Sequence, residues 1–222
     1  MISPHWEALT SYTQLAFRKI ANLDFIQRYY LAGGSGLALH IGHRFSVDLV
    51  FFSQEQDAVG PDERASFRRT LNDPTLTITY DKDGTFVAQW NEVGLSFFCL
   101  DLYPRVQKPW ILDGVPVATI EEIGAMKLAA IIDRGSRKDM VDLYFLLQHV
   151  PLEKLFEVAA IKYARVRSFT ISATRAMAYF EDAESQPMPR MLDGTPWEKM
   201  RRLLEKQAMD IGRQHLENLW EF

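Results

Sequence analysis

Residues 30–53 read YLAGGSGLALHIGHRFSVDLVFFS, and this stretch decides the fold. It opens with an apolar run that predicts a short strand. The segment Gly33-Gly34-Ser35-Gly36 follows. Residues 37–41 then have the apolar spacing of a short helix, which Gly42 ends. Residues 47–52 predict a second strand. The order strand, glycine loop, helix places backbone N–H groups and a hydroxyl at the positive end of a helix, where a phosphate can bind. A tight turn without a ligand is the alternative that a glycine pair allows.

Two carboxylates interrupt apolar strands. Asp48 lies within the predicted strand 47–52, and Asp101 lies within the apolar run 95–103. An ionised carboxylate buried without a partner is strongly unfavourable, so a shared metal ion or a basic partner is one interpretation. The other is that both residues lie at strand ends in water. The residues themselves leave both interpretations open.

The rest of the chain predicts an α+β protein, with strands in the first half and helices in the second. Residues 75–80, 85–90 and 93–103 predict a three-stranded meander with a turn at 81–84. From Thr119 onward the pattern is helical, beginning with a capping box of Thr119 and Glu122. Further helices are predicted at 123–132, at 137–150 and after Thr195-Pro196, and an amphipathic helix is predicted at 6–20.

The composition excludes several classes of protein. The 222 residues are 47% hydrophobic and 24% charged, which excludes disordered, collagen-like and coiled-coil chains. Lys and Arg number 25 against 29 Asp and Glu, so the net charge of -4 argues against indiscriminate binding to polyanions. The single cysteine, Cys99, excludes an internal disulfide, and we find no long apolar run or signal peptide. We therefore expect a cytoplasmic protein without a membrane segment.

The helical half contains isolated charges in apolar surroundings. Lys127 is the one cation of an almost wholly apolar helix, and Arg134 lies on the same face seven residues later. Asp142 interrupts the next apolar stretch, where an i,i+4 pair with Lys138 is the simplest explanation. Such a pair contributes only a few tenths of a kcal/mol, which does not explain a buried charge. A modest basic cluster, predicted as a solvated face rather than as an RNA contact, comprises Lys162, Arg165, Arg167 and Arg175.

Residues 30–53, together with MKLAAIIDRG at 126–135 and RKDMVDLY at 137–144, resemble motifs of the AbiEii/AbiGii toxin family. That family belongs to the DNA polymerase β-like nucleotidyltransferase superfamily. The resemblance implies a mixed sheet with flanking helices followed by a C-terminal helical bundle. It further implies a nucleotidyltransferase-like α+β core over 1–118 and a helical domain over 119–222 that completes the cleft.

The resemblance also implies a site for nucleotidyl transfer from an NTP, with Mg²⁺ or Mn²⁺ as cofactor. Asp48 matches the first metal carboxylate, Asp101 is a weaker match to the third, and Asp142 matches a later catalytic acid. The residues that match nucleotide-binding positions are Gly33, Gly34 and Ser35 of the loop, the catalytic Lys127, and Arg134.

One residue departs from the family pattern. Val50 stands where the second metal carboxylate is usual, and an isopropyl group cannot bind a hard cation. Three interpretations follow: an enzyme that recruits Glu55 or Asp57, a weakly active enzyme, or a catalytically degenerate protein that binds nucleotides without transfer. The family further implies an acceptor that is RNA (such as tRNA), a protein or a small molecule, and a cognate antitoxin as partner.

Overall fold

The computed structural model describes the backbone of residues 3–220 and the side chains of residues 3–213. Two compact units are present, one ending at Ile123 and the other beginning at Gly124. The first unit contains the sheet and the second is helical.

Within the described residues, the first unit contains a sheet of seven strands in the order β3-β4-β5-β2-β1-β7-β6. The strands are β1 (Tyr30–Ala32), β2 (Leu49–Ser53), β3 (Leu76–Lys82), β4 (Thr85–Trp90), β5 (Val93–Cys99), β6 (Trp110–Leu112) and β7 (Val115–Val117). The helices of this part of the chain are α1 (Ser11–Ile20), α2 (Gly33–Ile41), α3 (Pro61–Thr70) and the start of α4 (Ile120–Asp133).

The sheet is mixed, as predicted. The predicted meander is confirmed, because β3, β4 and β5 are neighbouring antiparallel strands. Strand β2 then runs parallel to β5 and antiparallel to β1, and β1 runs parallel to β7. Strands β6 and β7 are not predicted from the sequence, since three residues are too few to establish a period of two.

Alternation along β2 and β5 gives the sheet two different faces. Leu49, Phe51 and Phe97 are fully buried and join the aromatic core of the unit, where Phe67 stacks on Phe97 at 4.1 Å between ring centroids. Val50 lies on the opposite, half-buried face. Polar side chains of this unit that could contact a ligand are therefore expected on the sheet face that carries Val50.

Helix α2 begins earlier than the sequence predicts. Its first turn contains Gly33, Gly34 and Ser35, so the predicted glycine loop is the N-terminal turn of the helix, called here the glycine turn. Gly42 ends α2 in the left-handed region at φ 61°. Helix α1 is shorter than predicted, because Thr10 caps it and residues 6–8 form a separate 3₁₀ turn.

The second unit continues α4 and adds α5 (Arg137–Leu146), α6 (Leu152–Lys162), α7 (Phe169–Met177), α8 (Glu181–Glu184) and α9 (Trp197–Trp220). Helices α5 and α9 pack through Val141, Tyr144 and Met200, all of them buried. Ser136 caps α5, and the predicted helix 137–150 ends at Leu146. The α+β class with a helical second half is thus confirmed.

Candidate functional site

Two different constraints require glycine in the glycine turn. Gly33 has φ +66°, in the left-handed region that glycine adopts without strain. Gly34 is crowded instead. A Cβ atom there would lie 2.4 Å from Nη2 of Arg44 and 3.2 Å from Oγ of Ser46. The missing side chain of Gly34 therefore makes room for a guanidinium group.

The hydroxyl of Ser35 faces the protein. The residue is 1% exposed, and its Oγ lies 2.8 Å from Oγ of Ser46. It also donates a hydrogen bond to the backbone carbonyl of Asp48. The side chain thus joins the glycine turn to the segment before β2. In an α-helix the first-turn N–H groups have no intrahelical acceptor, so the backbone supplies the donors for an anion.

Asp48 lies immediately before β2 and is exposed, which differs from the strand position predicted for it. Its carboxylate lies over β5, since a Cβ atom on Gly94 would be 2.5 Å from its Oδ1. Of the two interpretations of this carboxylate, the one that places it at a strand end in water agrees with the structure. The residue is nevertheless joined directly to the glycine turn through Ser35.

The structure does not bring Asp101 together with Asp48. Leu49 pairs with Leu95 at one end of the parallel strands, and Ser53 pairs with Cys99 at the other. Asp101 follows Cys99 and is exposed, whereas Asp48 lies beside Gly94. The five residue-to-residue steps from Gly94 to Cys99 span about 16 Å, far more than two ligands of one metal ion allow. The expectation of a metal ion shared by these carboxylates is therefore wrong.

Neither of the acids proposed to replace the residue at position 50 is close to it. Glu55 and Asp57 follow the far end of β2, and both pair with Arg28, whose Nε lies 2.6 Å from Oε2 of Glu55. Burial by itself would lower the pKa of Arg28, but its hydrogen bond to Glu55 and the charges of Glu63, Glu55 and Asp57 raise it. These acids thus belong to a separate ion-pair network.

The residues aligned with Val50 across the sheet are not acidic. Val50 pairs with Ala32 on β1 and with Ser96 on β5, and Ser96 pairs in turn with Val87 on β4. Among the described residues, no group of three or more His, Cys, Asp or Glu could hold a metal ion. The side chains around Asp48 therefore do not fit a centre that binds two divalent ions through several carboxylates.

The predicted residues Lys127, Arg134 and Asp142 of the second unit form a charge cluster together with Asp139. Nζ of Lys127 lies 2.9 Å from Oδ1 of Asp139 and 2.5 Å from Oδ2 of Asp142, and both carboxylates are fully buried. Arg134 is more exposed and binds Asp139 through Nε at 2.7 Å and Nη2 at 3.0 Å. Two cations thus balance two anions.

Asp139 is the hub of the charge cluster. Burial alone would raise the pKa of this carboxyl. The charge of Lys127 and hydrogen bonds from Arg134 and Ser136 outweigh burial and hold the pKa well below its usual range. Sequence reasoning missed Asp139, although Ser136 followed three residues later by an acid is a capping signal. The suggested partner of Asp142, Lys138, is exposed, and the pair that forms is with Lys127.

The contact of Lys127 and Arg134 with nucleotide phosphates stays a prediction. A phosphate would have to compete with two buried carboxylates for the ammonium group of Lys127. The basic cluster is smaller than predicted, because Lys162 is 1% exposed. Arg165, Arg167 and Arg175 are exposed.

Comparisons with known proteins agree with this architecture. A family model described as "Nucleotidyl transferase AbiEii toxin, Type IV TA system" matches residues 14–221. The uncharacterized protein aq_aa25 of Aquifex aeolicus (strain VF5) is 30% identical over 209 residues, which cover 91% of this chain and 95% of that protein.

Two solved structures have a similar fold. MenT4, a nucleotidyltransferase toxin of Mycobacterium tuberculosis H37Rv, has a TM-score of 0.59 at 16% identity, covering 92% of this chain and 83% of MenT4. The antibiotic-resistance factor ANT(2'')-Ia has a TM-score of 0.51 at 13% identity, covering 72% of this chain and 96% of that structure. The predicted polymerase β-like nucleotidyltransferase fold is confirmed. In the part of the chain that the structure describes, no helix is long and apolar enough to cross a membrane.

Proposed function

Since the chain belongs to the AbiEii nucleotidyl transferase toxin family, we propose that it transfers a nucleoside monophosphate from an NTP to an acceptor hydroxyl. One observation carries the proposal: the glycine turn at the start of α2 is joined through Ser35 to the exposed Asp48. An anion-binding helix terminus and an accessible carboxylate are the two groups that such a transfer requires.

The reaction assigns a role to each group. The acceptor oxygen forms a bond to the α-phosphorus of the NTP, the bond from that phosphorus to the oxygen bridging to the β-phosphate breaks, and pyrophosphate leaves. Backbone N–H groups of the glycine turn hold the triphosphate. Asp48 accepts the proton of the attacking hydroxyl, because it is the exposed carboxylate joined to the turn.

The metal requirement is proposed to be weak. Family members generally use a divalent ion, but Val50 and Ser96 offer no carboxylate beside Asp48. One carboxylate binds Mg²⁺ poorly, since this ion is usually held by several oxygen ligands. Titration of the protein without nucleotide is expected to give no tight Mg²⁺ or Mn²⁺ binding.

RNA is the acceptor that the charge distribution favours. Between Glu157 and Glu181 the chain contains no Asp or Glu, although the whole chain is acidic. The exposed Arg165, Arg167 and Arg175 lie within this acid-free segment. Arginines without neighbouring acids bind phosphates of a nucleic-acid backbone in a salt-dependent manner.

Label transfer tests the proposal. The purified chain is incubated with each α-³²P-labelled NTP, total tRNA and Mg²⁺ or Mn²⁺, and labelled RNA is expected with at least one NTP. Asp48→Asn is expected to reduce the label by about 10²–10⁴-fold. The matched control is Asp62→Asn, which changes an exposed acid on α3 and should leave the label unchanged. The absence of transfer to RNA, to protein or to small-molecule acceptors under all of these conditions would refute transferase activity.

A second candidate function is nucleotide binding without transfer. The observation that favours it is the pair of Val50 and Ser96, which leaves Asp48 as an isolated carboxylate. This function predicts NTP binding in EDTA and no product. Val50→Asp, alone and with Ser96→Asp, is the decisive variant. Activity gained by the variant and missing in the parent would establish the degenerate function, whereas activity in the parent would exclude it.

We further propose a toxin role in the cytoplasm with an antitoxin as partner, and the family description, a toxin of a type IV toxin-antitoxin system, supports the toxin role. Induced expression is expected to arrest bacterial growth, and the Asp48→Asn variant at equal protein level is expected to permit growth. Arrest by both forms would separate toxicity from nucleotidyl transfer.

A further inference from the structure

We propose that the nucleobase of the NTP stacks on the rings of Phe52 and Phe98, on the half-buried face of the sheet. Together with Tyr30 these residues are called here the aromatic row. The inference rests on the proposed function, because it presupposes that the glycine turn holds the triphosphate of the same molecule. Sequence reasoning assigned no ligand contact to these rings, although Tyr30 and Phe52 lie within the segment that decides the fold.

The aromatic row crosses three neighbouring strands. Phe52 on β2 pairs with Tyr30 on β1 and with Phe98 on β5, so the three side chains share one face of the sheet. The ring centroids of Tyr30 and Phe52 are 6.0 Å apart, and those of Phe52 and Phe98 are 5.7 Å apart. The last two rings are stacked, with 28° between their planes. Phe52 lies two residues after Val50 and therefore on the same face.

One end of the row is covered and the other is partly exposed. Tyr30 is 1% exposed, and Arg105 lies over its ring with Cζ 5.7 Å from the centroid. Phe52 and Phe98 are half-buried, whereas the residue before each of them is fully buried in the core. A sheet face in contact with water usually carries polar side chains. Two paired phenylalanines leave apolar area there, which a flat ligand would remove from water.

The glycine turn lies one residue pair away from the row. Ala32, the residue before the turn, pairs with Val50, and a Cβ atom on Gly33 would lie 3.9 Å from Cβ of Val50. From Val50 to Phe52 the strand rises about 7 Å, a distance that a nucleoside spans. Asp48 lies two residues from Val50 in the opposite direction. A triphosphate held by the turn can therefore direct its base to the row while its phosphates stay beside Asp48.

Aromatic rings suit a nucleobase because every base has a π-face. Stacking of bases on aromatic side chains contributes affinity with little dependence on the identity of the base. The row therefore predicts similar affinities for the four NTPs. A leucine offers apolar area without a π-face, so an exchange of phenylalanine for leucine separates stacking from simple burial.

The test compares each NTP with inorganic tripolyphosphate, which carries the phosphates without a base. Both are titrated calorimetrically into the full-length chain in Mg²⁺ buffer. The proteins are wild type, Phe52→Leu, Phe98→Leu, Phe52→Trp and Tyr12→Leu. Tyr12 is exposed on α1 and controls for the loss of a surface ring. Circular dichroism and thermal unfolding verify that each variant is folded.

The expected result is a loss of affinity confined to ligands with a base. Phe52→Leu and Phe98→Leu should each weaken the binding of all four NTPs about five- to tenfold and leave tripolyphosphate binding unchanged, while Tyr12→Leu changes neither. Unchanged NTP affinity in both leucine variants overturns the inference. An equal loss for NTPs and tripolyphosphate, as a purely structural role would give, also overturns it.

The tryptophan variant decides the question if the leucine variants do not fold. Its added indole emission, measured against wild type, should change when an NTP binds and stay constant with tripolyphosphate. Any other response of this emission overturns the inference.

The same titrations separate this inference from the function on which it rests. A wild-type protein that binds neither NTPs nor tripolyphosphate contradicts the triphosphate site and, with it, the aromatic row. A wild type that binds tripolyphosphate as tightly as the NTPs retains the phosphate site and contradicts the aromatic row alone.

Discussion

The glycine turn and the charge cluster use charged residues in opposite ways. In the first unit, Asp48 is exposed and joined to the turn only through the backbone. In the second unit, Asp139 and Asp142 are fully buried and share the ammonium group of Lys127. An exposed carboxylate is available to a substrate, whereas a buried one is committed to its protein partners. The comparison separates residues available for chemistry from residues that hold a unit together.

This difference predicts a ranking of variants by their free energy of unfolding. The largest effect is expected for Lys127→Met, because it removes the cation that the buried Asp139 and Asp142 share and leaves Asp139 with Arg134 alone. The free energy of unfolding should fall by about 3–5 kcal/mol in urea titrations. Lys138→Met, which changes an exposed lysine of α5, is the control and should change it by less than about 0.5 kcal/mol. Equal effects of the two variants would contradict the importance of the cluster.

Asp139→Asn is expected to cost about 2 kcal/mol, since bonds from Lys127, Arg134 and Ser136 to a charged acceptor are weakened. The pKa of Asp139 is lowered in the folded state. Its stabilisation is therefore complete above the unfolded-state pKa, 3.8, and is lost as the pH falls below that value. The difference between wild type and variant should stay constant from about pH 7 to 5 and shrink below about pH 4. A difference that grows on acidification would contradict this sign.

Ser35→Ala tests the hydrogen bonds that join the glycine turn to the segment before β2. Removing the hydroxyl breaks the hydrogen bond to the carbonyl of Asp48 and the contact with Ser46. A loss of about 1 kcal/mol in stability is expected, with NTP affinity reduced less than by changes in the turn backbone. Ser96→Ala, on the half-buried face of β5, is a matched control. A complete loss of NTP binding with unchanged stability would instead indicate direct contact of Ser35 with phosphate.

The smallest effect on stability is expected for Asp48→Asn. Its side chain is exposed, so the free energy of unfolding should change by less than about 0.5 kcal/mol. Thermal unfolding of the variant and of wild type, measured in parallel, gives this difference in stability. A strongly destabilised variant would place Asp48 with the structural charges and remove the contrast between the two regions.

Local sequence patterns predicted what depends on local geometry. Gly33 and Gly34 indicated the turn between β1 and α2, although these residues form the first turn of the helix, and alternation over 75–103 predicted the meander, because both depend on neighbouring residues. Strand position in the sheet depends on the whole fold. Asp101 was therefore expected to share a metal with Asp48, whereas the register of β2 and β5 places them at opposite ends.

Contacts between residues that are distant in the sequence could not be predicted from the spacing of residues along the chain. Lys127 and Asp139 are twelve residues apart on different helices, so their contact requires the angle between α4 and α5. Arg44 contacts Gly34 from beyond the end of α2, and no periodic pattern encodes that approach. Lys127 and Asp142 were predictable as isolated charges in apolar helices, whereas Asp139 and the pairing of these residues were not.

The central claim is that the exposed Asp48, joined to the glycine turn, serves nucleotidyl transfer and not stability. Label transfer from an α-³²P-NTP to RNA, measured on wild type and Asp48→Asn at equal folded concentration, tests it most directly. We expect transfer to fall by about 10²–10⁴-fold in the variant while its unfolding midpoint stays that of wild type. Transfer at the wild-type rate by a folded Asp48→Asn protein would contradict the claim.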